Sequence, residues 1–497
     1  MRLSRRRFVA STGLFTASGL AGAPGIRAAG VELRGGERPR RIIHLVSDGM
    51  SMGTLTCADQ FSWLVRGRPL AWMALYDRTD VVSALVNMRS LNSLVTDSAA
   101  ASSSWGSGSR VRNGSLNVLP DGRELKTLYD VLADAGWARG LVTTTEITHA
   151  TPAGFAANAA DRGAAERIAT QYLERRIEVL LGGGEQFFDP EHRSDKNDLK
   201  ADYRAAGYRV MGKRSELTEA PAKGRWLGTF ARSHLPYTID HQADERLRET
   251  APTLAEMTRA ALRRLGEERH FILQVEGGRV DHAAHGSDAA ALMWDQLAFD
   301  DALEVCLDFQ RSAPDTLLVV TTDHGNANPG LNGMGSGYAS SVPLFANLKG
   351  VKKSLSLLQT DFSRAKDKTG LSPQVIRELV AEGTGCALTA AQADGFARFL
   401  EGRQPPLYEM MDGWTAQMGQ LLANHLGIGW TGTAHTSDYV PLSVLGPGAD
   451  RFRGFLQNTD LFHRYLALAK VDYRNPEVPL MAESGPTAAE AERFQLT

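Results

Sequence analysis

Arg41-Ile42-Ile43-His44-Leu45-Val46-Ser47-Asp48-Gly49-Met50, residues 41–50, is a short β-branched apolar run that stops on an acid and a glycine. A run of this length bounded by turn formers reads as a buried strand. The design recurs along the chain. Residues 92–96 (NSLVT) run into Asp97-Ser98-Ala99, residues 271–275 (FILQV) into Glu276-Gly277-Gly278, and residues 316–322 (TLLVVTT) into Asp323-His324-Gly325. Further strands are expected at 141–144, 179–181 and 441–445. Helical periodicity fills 98–104, 127–135, 163–175, 251–265, 287–307 and 460–470. Strands alternating with helices mean βαβ units, so the expected fold class is α/β, a doubly wound, mostly parallel sheet flanked by helices. In such sheets ligands bind outside the carboxyl ends of the strands. Asp48, Ser98, Glu276 and the pair Asp323-His324 are therefore expected along one edge. A single acid at a strand end ordinarily caps the next helix. Four such ends, two of them carrying a hydroxyl or an imidazole, point to a site.

The chemistry of that edge follows from residue types. In Asp281-His282-Ala283-Ala284-His285, Asp281 and His285 are four apart and share a helix face. With His435, in the polar loop Thr433-Ala434-His435-Thr436, they make an Asp and two His, a catalytic zinc set with open positions. Asp48, Asp323 and His324 make a second set. Two such sites about 4 Å apart form the clamp used for in-line phosphoryl displacement. Asp48, Glu276 and Thr151 make a third, all-oxygen set, which favours Mg²⁺. Ser98 is the candidate nucleophile, since a cation can hold its oxygen as an alkoxide. Arg162 offers a planar fork for two phosphate oxygens.

Composition bounds the alternatives. The chain has 497 residues, 43% hydrophobic and 23% charged, the range of ordinary globular enzymes. Lys and Arg number 55 against 57 Asp and Glu, a net charge of −2, so no global basic field recommends nucleic acid as the main partner. Three cysteines, Cys57, Cys306 and Cys386, allow at most one disulfide. The start, Ser4-Arg5-Arg6-Arg7-Phe8-Val9, precedes a weakly apolar run and a small-residue zone ending at Ala28-Ala29. Residues 1–29 are read as a twin-arginine signal peptide, cut near Ala23 or Ala29. It implies the twin-arginine export machinery as a partner and a periplasmic or secreted location. No later run reaches membrane-spanning length, so no span is expected in the mature protein.

The chain divides as a catalytic α/β domain, 38–325 and 431–470, an inserted helical cap or crown, 326–430, and a C-terminal tail, 471–497. Helices are expected within the insertion at 371–383, 388–402 and 409–425. Gly182-Gly183-Gly184 follows a strand, but no GKS or GKT comes after it, so it reads as a turn rather than a phosphate loop. His44, His192, His234, His241, His270, His425 and His463 lie outside these motifs and read as core or surface residues.

These motifs resemble the alkaline phosphatase family. The carriers are Asp48-Gly49-Met50, Thr96-Asp97-Ser98-Ala99-Ala100-Ala101-Ser102, Arg112-Asn113-Gly114 and His149-Ala150-Thr151-Pro152-Ala153. They continue with Glu276 through His285, Thr321-Thr322-Asp323-His324-Gly325 and Ala434-His435-Thr436. They run in the family's order across residues 40–470. The resemblance implies a phosphomonoesterase acting on small-molecule phosphate monoesters, with Ser98 forming a phosphoserine. It implies two Zn²⁺, one held by Asp281, His285 and His435 to activate water, the other by Asp48, Asp323 and His324 to polarise Ser98. It implies a Mg²⁺ on Asp48, Thr151 and Glu276, and Arg162 at the family's phosphate-binding position. His149 and His282 stand where some bacterial members carry an acid and a lysine. They are expected as substrate-binding residues, with His149 able to alter the third metal. The family is commonly dimeric, which implies a homodimer. No Cys-x-Pro-x-Arg occurs, against the related sulfatases. Two alternatives stand beside this reading: a phosphodiesterase of the same superfamily, and a non-catalytic metal-dependent phosphate-binding protein.

Overall fold

The computed structural model describes residues 38–480; the signal peptide expected at 1–29 and the end of the tail lie outside the described residues. Ten strands form one sheet: β1 (Arg41–Val46), β2 (Val81–Asn87), β3 (Ala138–Glu146), β4 (Val179–Gly183), β5 (Tyr208–Met211), β6 (Arg225–Thr229), β7 (Phe271–Glu276), β8 (Thr316–Thr321), β9 (Val440–Leu445) and β10 (Gly454–Gln457). Their spatial order is β10-β2-β9-β8-β1-β7-β3-β4-β6-β5. Every pairing is parallel except those of β9, which runs antiparallel to β2 and β8.

The central strands are apolar on both faces because helices cover both. In β1, Ile43 and Leu45 join one buried layer while Ile42 and Val46 join the other. His44 is a core histidine: its Nδ1 lies 2.6 Å from the Tyr465 hydroxyl, and burial pushes its pKa down to about 3. Register aligns the functional edge. Val46 sits opposite both Glu276 and Thr321, and Thr143 opposite Glu276, so β8, β1, β7 and β3 end level.

The strand expected at 92–96 is not formed. That stretch is a loop, and the strand of this region is β2, at 81–87. Its serines and asparagines satisfy the backbone locally instead of a ladder: Ser93 N–H donates to Ser90 Oγ, and Asn113 Nδ2 donates to Val95 O. Ser98 thus arrives from a loop, not directly from a strand end. β5, β6 and β10 were not expected from the sequence.

Residues 326–430 leave and return through a narrow neck. Gly325 and Asn326 pair antiparallel with Thr436 and His435, and Gly330 and Leu331 with Gly429 and Ile428. Beyond the neck lie helices Leu355–Thr369, Pro373–Thr384, Ala390–Leu400 and Trp414–Leu426. The segment is pinned to the sheet's helices by two buried carboxylates: Ser354 N–H donates to Asp240 and Leu355 N–H to Asp288. Among the described residues the three cysteines are buried and free, and no helix is long and apolar enough to cross a membrane.

Candidate metal-dependent active site

Helix Ser98–Ser107 begins at Ser98, with Asp97 as its cap: Asp97 accepts from Ala100 N–H, from Gly114 N–H and from Arg162 Nη1 at 3.0 Å. One carboxylate therefore caps the helix that starts at Ser98 and fixes the guanidinium. The Ser98 hydroxyl lies 3.1 Å from His324 Nε2. That nitrogen is 3.3 Å from Asp323 and 3.6 Å from Asp48, all three residues being buried. Gly49 has φ of +67°, and a Cβ there would lie 2.2 Å from Asp281 Oδ1, so only glycine lets this turn meet the opposing carboxylate.

Three groups can hold a cation: Asp281 with His285 and His435, Asp48 with Asp323 and His324, and Asp48 with Glu276 and His149. In the first, His285 Nδ1–H donates to Thr433 O and His435 Nδ1–H to Thr96 O. A carbonyl only accepts, so the proton of each neutral ring sits on Nδ1 and the lone pair on Nε2. The two Nε2 atoms face each other at 3.0 Å beside Asp281. With both rings neutral, their lone pairs and the Asp281 carboxylate converge on one point that a cation can occupy; without one, a proton on His285 beside Asp281 takes that role.

The acids tell the same story. Burial raises Asp48 well above the usual carboxylate range, and the charges of Asp323, Asp281 and Glu276 add to it. Burial also pushes Asp323 up to about 7. Burial would raise Asp281 too, but the facing His285 and His435 hold it well below the ordinary range. Asp48 Oδ1, Asp323 Oδ2 and Glu276 Oε1 are buried without a hydrogen-bond partner. Carboxylates clustered this way are stable only if protonated or neutralised by a cation.

The third set brings His149 in beside the expected oxygen ligands. Thr151 Oγ1 donates to Asp48 Oδ2 at 3.4 Å, and Glu276 accepts from Thr143 at 2.5 Å and Thr145 at 3.3 Å. His149 enters that group while its Nε2 also faces Arg162 Nη2 at 3.3 Å. His282 lies beside it, ring centroids 5.5 Å apart. All twelve residues singled out in the sequence thus fall in one connected neighbourhood.

The sequence reading missed three supports. Asp97 stood in a quoted motif and its capping role was legible there. Asn326, which donates to Asp281 Oδ1 at 2.6 Å, carries no local signal. His234, grouped with the core or surface histidines, packs against His282 with ring centroids 4.5 Å apart. It reaches the site on the loop after β6, two strands beyond β3.

A family model described as alkaline phosphatase matches residues 39–471. Alkaline phosphatase 3 of Bacillus subtilis is 31% identical over 376 residues, 74% of this chain and 75% of that protein. Streptomycin-6-phosphate phosphatase of Streptomyces griseus is 34% identical over 341 residues, 59% of this chain and 75% of that protein. The crystal structure of Thermus thermophilus alkaline phosphatase superposes with a TM-score of 0.82 at 34% identity, covering 96% of this chain and 99% of that one.

Proposed function

The chain belongs to the alkaline phosphatase family of phosphoric monoester hydrolases, and from that premise we propose that it works through a phosphoserine on Ser98 at a site holding two Zn²⁺ and one Mg²⁺. Asp281, His285 and His435 would hold one zinc, and Asp48, Asp323 and His324 the other. Asp48, Glu276 and Thr151 would hold the third cation, with His149 close enough to change its identity. When bound, such cations polarise phosphoryl oxygens and ease loss of a proton from a hydroxyl or water. Arg162, anchored by Asp97, grips two oxygens of the phosphoryl group and aligns phosphorus with the Ser98 oxygen. That oxygen forms the new bond to phosphorus as the alcohol leaves. Water then breaks the serine ester and releases phosphate, and two inversions retain configuration. His149 and His282 line the phosphoryl group's outer side.

The observation that carries this reading is the pair of Nε2 atoms of His285 and His435 facing each other at 3.0 Å beside Asp281, adjacent to the Ser98–His324 contact. Elemental analysis paired with turnover of phenyl phosphate, before and after chelation, tests it. Metal near three per chain, with activity lost and recovered as metal is removed and returned, is the expected result. A fully active metal-free protein would reject it. Faster turnover of a phenyl diester than of the monoester would favour the phosphodiesterase alternative. Phosphate binding with no turnover of either would favour the binding protein.

The division into a catalytic domain (38–325 and 431–470), an inserted crown (326–430) and a tail (471–497) belongs to the same proposal. So do the homodimer and export of the folded enzyme by the twin-arginine machinery to the periplasm or beyond. Sedimentation tests the first of these last two. For the second, residues 1–30 fused to a reporter should lose export when Arg5 to Arg7 are replaced.

A further inference from the structure

The functional edge of the sheet continues past the cation groups to β2 and β10, where two arginines meet without an acid. Because β9 runs antiparallel to both β2 and β8, β2 and β8 point the same way, and β2 and β10 end level at Asn87 and Gln457. Arg89 follows just past the end of β2. Its carbonyl accepts from Arg110 Nε at 3.2 Å and from Asn458 Nδ2 at 3.1 Å, while Arg110 Nη2 donates to Gln457 Oε1 at 2.7 Å. Arg110 is thus held by a carbonyl and an amide, both neutral. Arg89 Nε is buried without a partner. Among the described residues neither guanidinium forms an ion pair. The two acids that face Arg110 are engaged elsewhere: Asp460 accepts from Gln457 N–H at 2.9 Å and pairs with Arg464 at 3.8 Å, and Glu477 pairs with Arg474 at 3.8 Å.

Burial, and after it the charge of Arg89, pushes Arg110 below the ordinary arginine range. Like charges held together by neutral partners are stabilised by an anion between them. Both residues are half-buried, so water and solutes reach the pair while bulk screening is reduced. The place is separate from the active site. β9 and β8 lie between β2 and β1, which puts the two strands about 14 Å apart at the usual spacing. Two loops are joined there: Leu91 N–H donates to Val111 O, and Asn113 N–H to Asn92 Oδ1. The same two loops close on Asp97, which accepts from Gly114 N–H and whose own N–H donates to Asn113 Oδ1.

We propose that Arg89 and Arg110 form a second oxyanion site, at the carboxyl ends of β2 and β10, for a tetrahedral dianion of the inorganic phosphate class. Each planar head offers paired N–H donors to such an ion, and a phosphate or sulfate accepts on every oxygen. The ion is bound and not turned over, since the three cation-holding groups of the described residues all lie at the active site. In bridging the pair it clamps the loops that position Asp97, the residue that caps the helix of Ser98 and fixes Arg162.

Equilibrium dialysis of metal-loaded protein against radiolabelled inorganic phosphate counts the sites. The quantity read is the difference between wild type and Arg110→Gln, so it does not depend on how many phosphates the active site takes. Wild type should bind one more phosphate per chain than the variant, with a Kd of about 1 mM for that extra ion. Arg89→Gln should show the same loss. Chloride at matched ionic strength should leave the difference in place, because a site built from paired donors reads shape as well as charge. Equal counts in wild type and both variants overturn the proposal, as does a difference that matched chloride abolishes. If the variants do not fold, selenate soaked into crystals of the metal-loaded wild type decides. Anomalous density for selenium between the two guanidiniums is the expected result, and its absence there rejects the site.

Discussion

Ser98 occupies a position that serine tolerates well for structural reasons alone, the first residue of a helix whose cap is Asp97. Its replacement therefore separates chemistry from folding. Ser98→Ala should cut kcat by about a thousandfold or more while metal content and melting temperature hold; an unchanged rate would reject the nucleophile assignment. Arg162 is different, because beside its proposed grip on substrate it is tied to Asp97. Lysine cannot reproduce two parallel donors from one planar head. Arg162→Lys should raise KM by about tenfold with a smaller change in kcat, and a binding assay with inorganic phosphate should show the same loss.

At the scale of elements, the site depends on two helices meeting at backbone distance. A Cβ on Gly106 would lie 1.8 Å from Gly154 O, and one on Gly154 would lie 2.3 Å from Ser102 Oγ. Ser102 Oγ also donates to Thr151 O at 2.6 Å across the seam. Helix Ser98–Ser107 and helix Ala150–Ala156 are thereby locked together, and with them Ser98 and Thr151. Gly154→Ala should cost about 3 kcal/mol of stability by overpacking, read by denaturant unfolding. Helix Ala289–Ser312 carries a second liability. Burial raises Asp295, which accepts from Thr238, to about 7. The folded state thus holds a proton that the unfolded chain has released. The stability this contributes is complete below about pH 4 and is lost as pH rises through about 7. Asp295→Asn keeps an acceptor without the charge. Its melting temperature relative to wild type should therefore rise between pH 5 and pH 8.

For the whole molecule, the cation groups are structural as well as chemical, since they join β1, β7 and β8 to the far side of the neck through His435. Chelation should lower the melting temperature by roughly 10 °C, restored by adding metal back. The gap should widen with pH. In metal-stripped protein Asp48 and Asp323 both have raised pKa values, so their contribution is present below the unfolded carboxylate range and is lost as pH climbs, that of Asp323 through about 7. A gap that narrows from pH 5 to pH 8 would contradict the assignment of these acids as ligands.

Strand–acid junctions made most of this legible. Parallel strands buried on both faces must be apolar, and their level carboxyl ends gather whatever follows them, so β1, β7 and β8 declared Asp48, Glu276 and Asp323 without any knowledge of contacts. Spacing on a helix did the same for Asp281 and His285. The loop at 92–96 was misread because an apolar run carries no mark of whether its backbone finds a ladder or its own serines. His234 was invisible for another reason. Its place beside His282 is set by a strand order in which β6 follows β4, by a hydrogen bond from Glu146, and by Tyr237 beneath Arg279. Local sequence dictated which residues could ligate and where strands would stop. Only the packed sheet, with its neck closing more than a hundred residues, decided which distant rings would share a face.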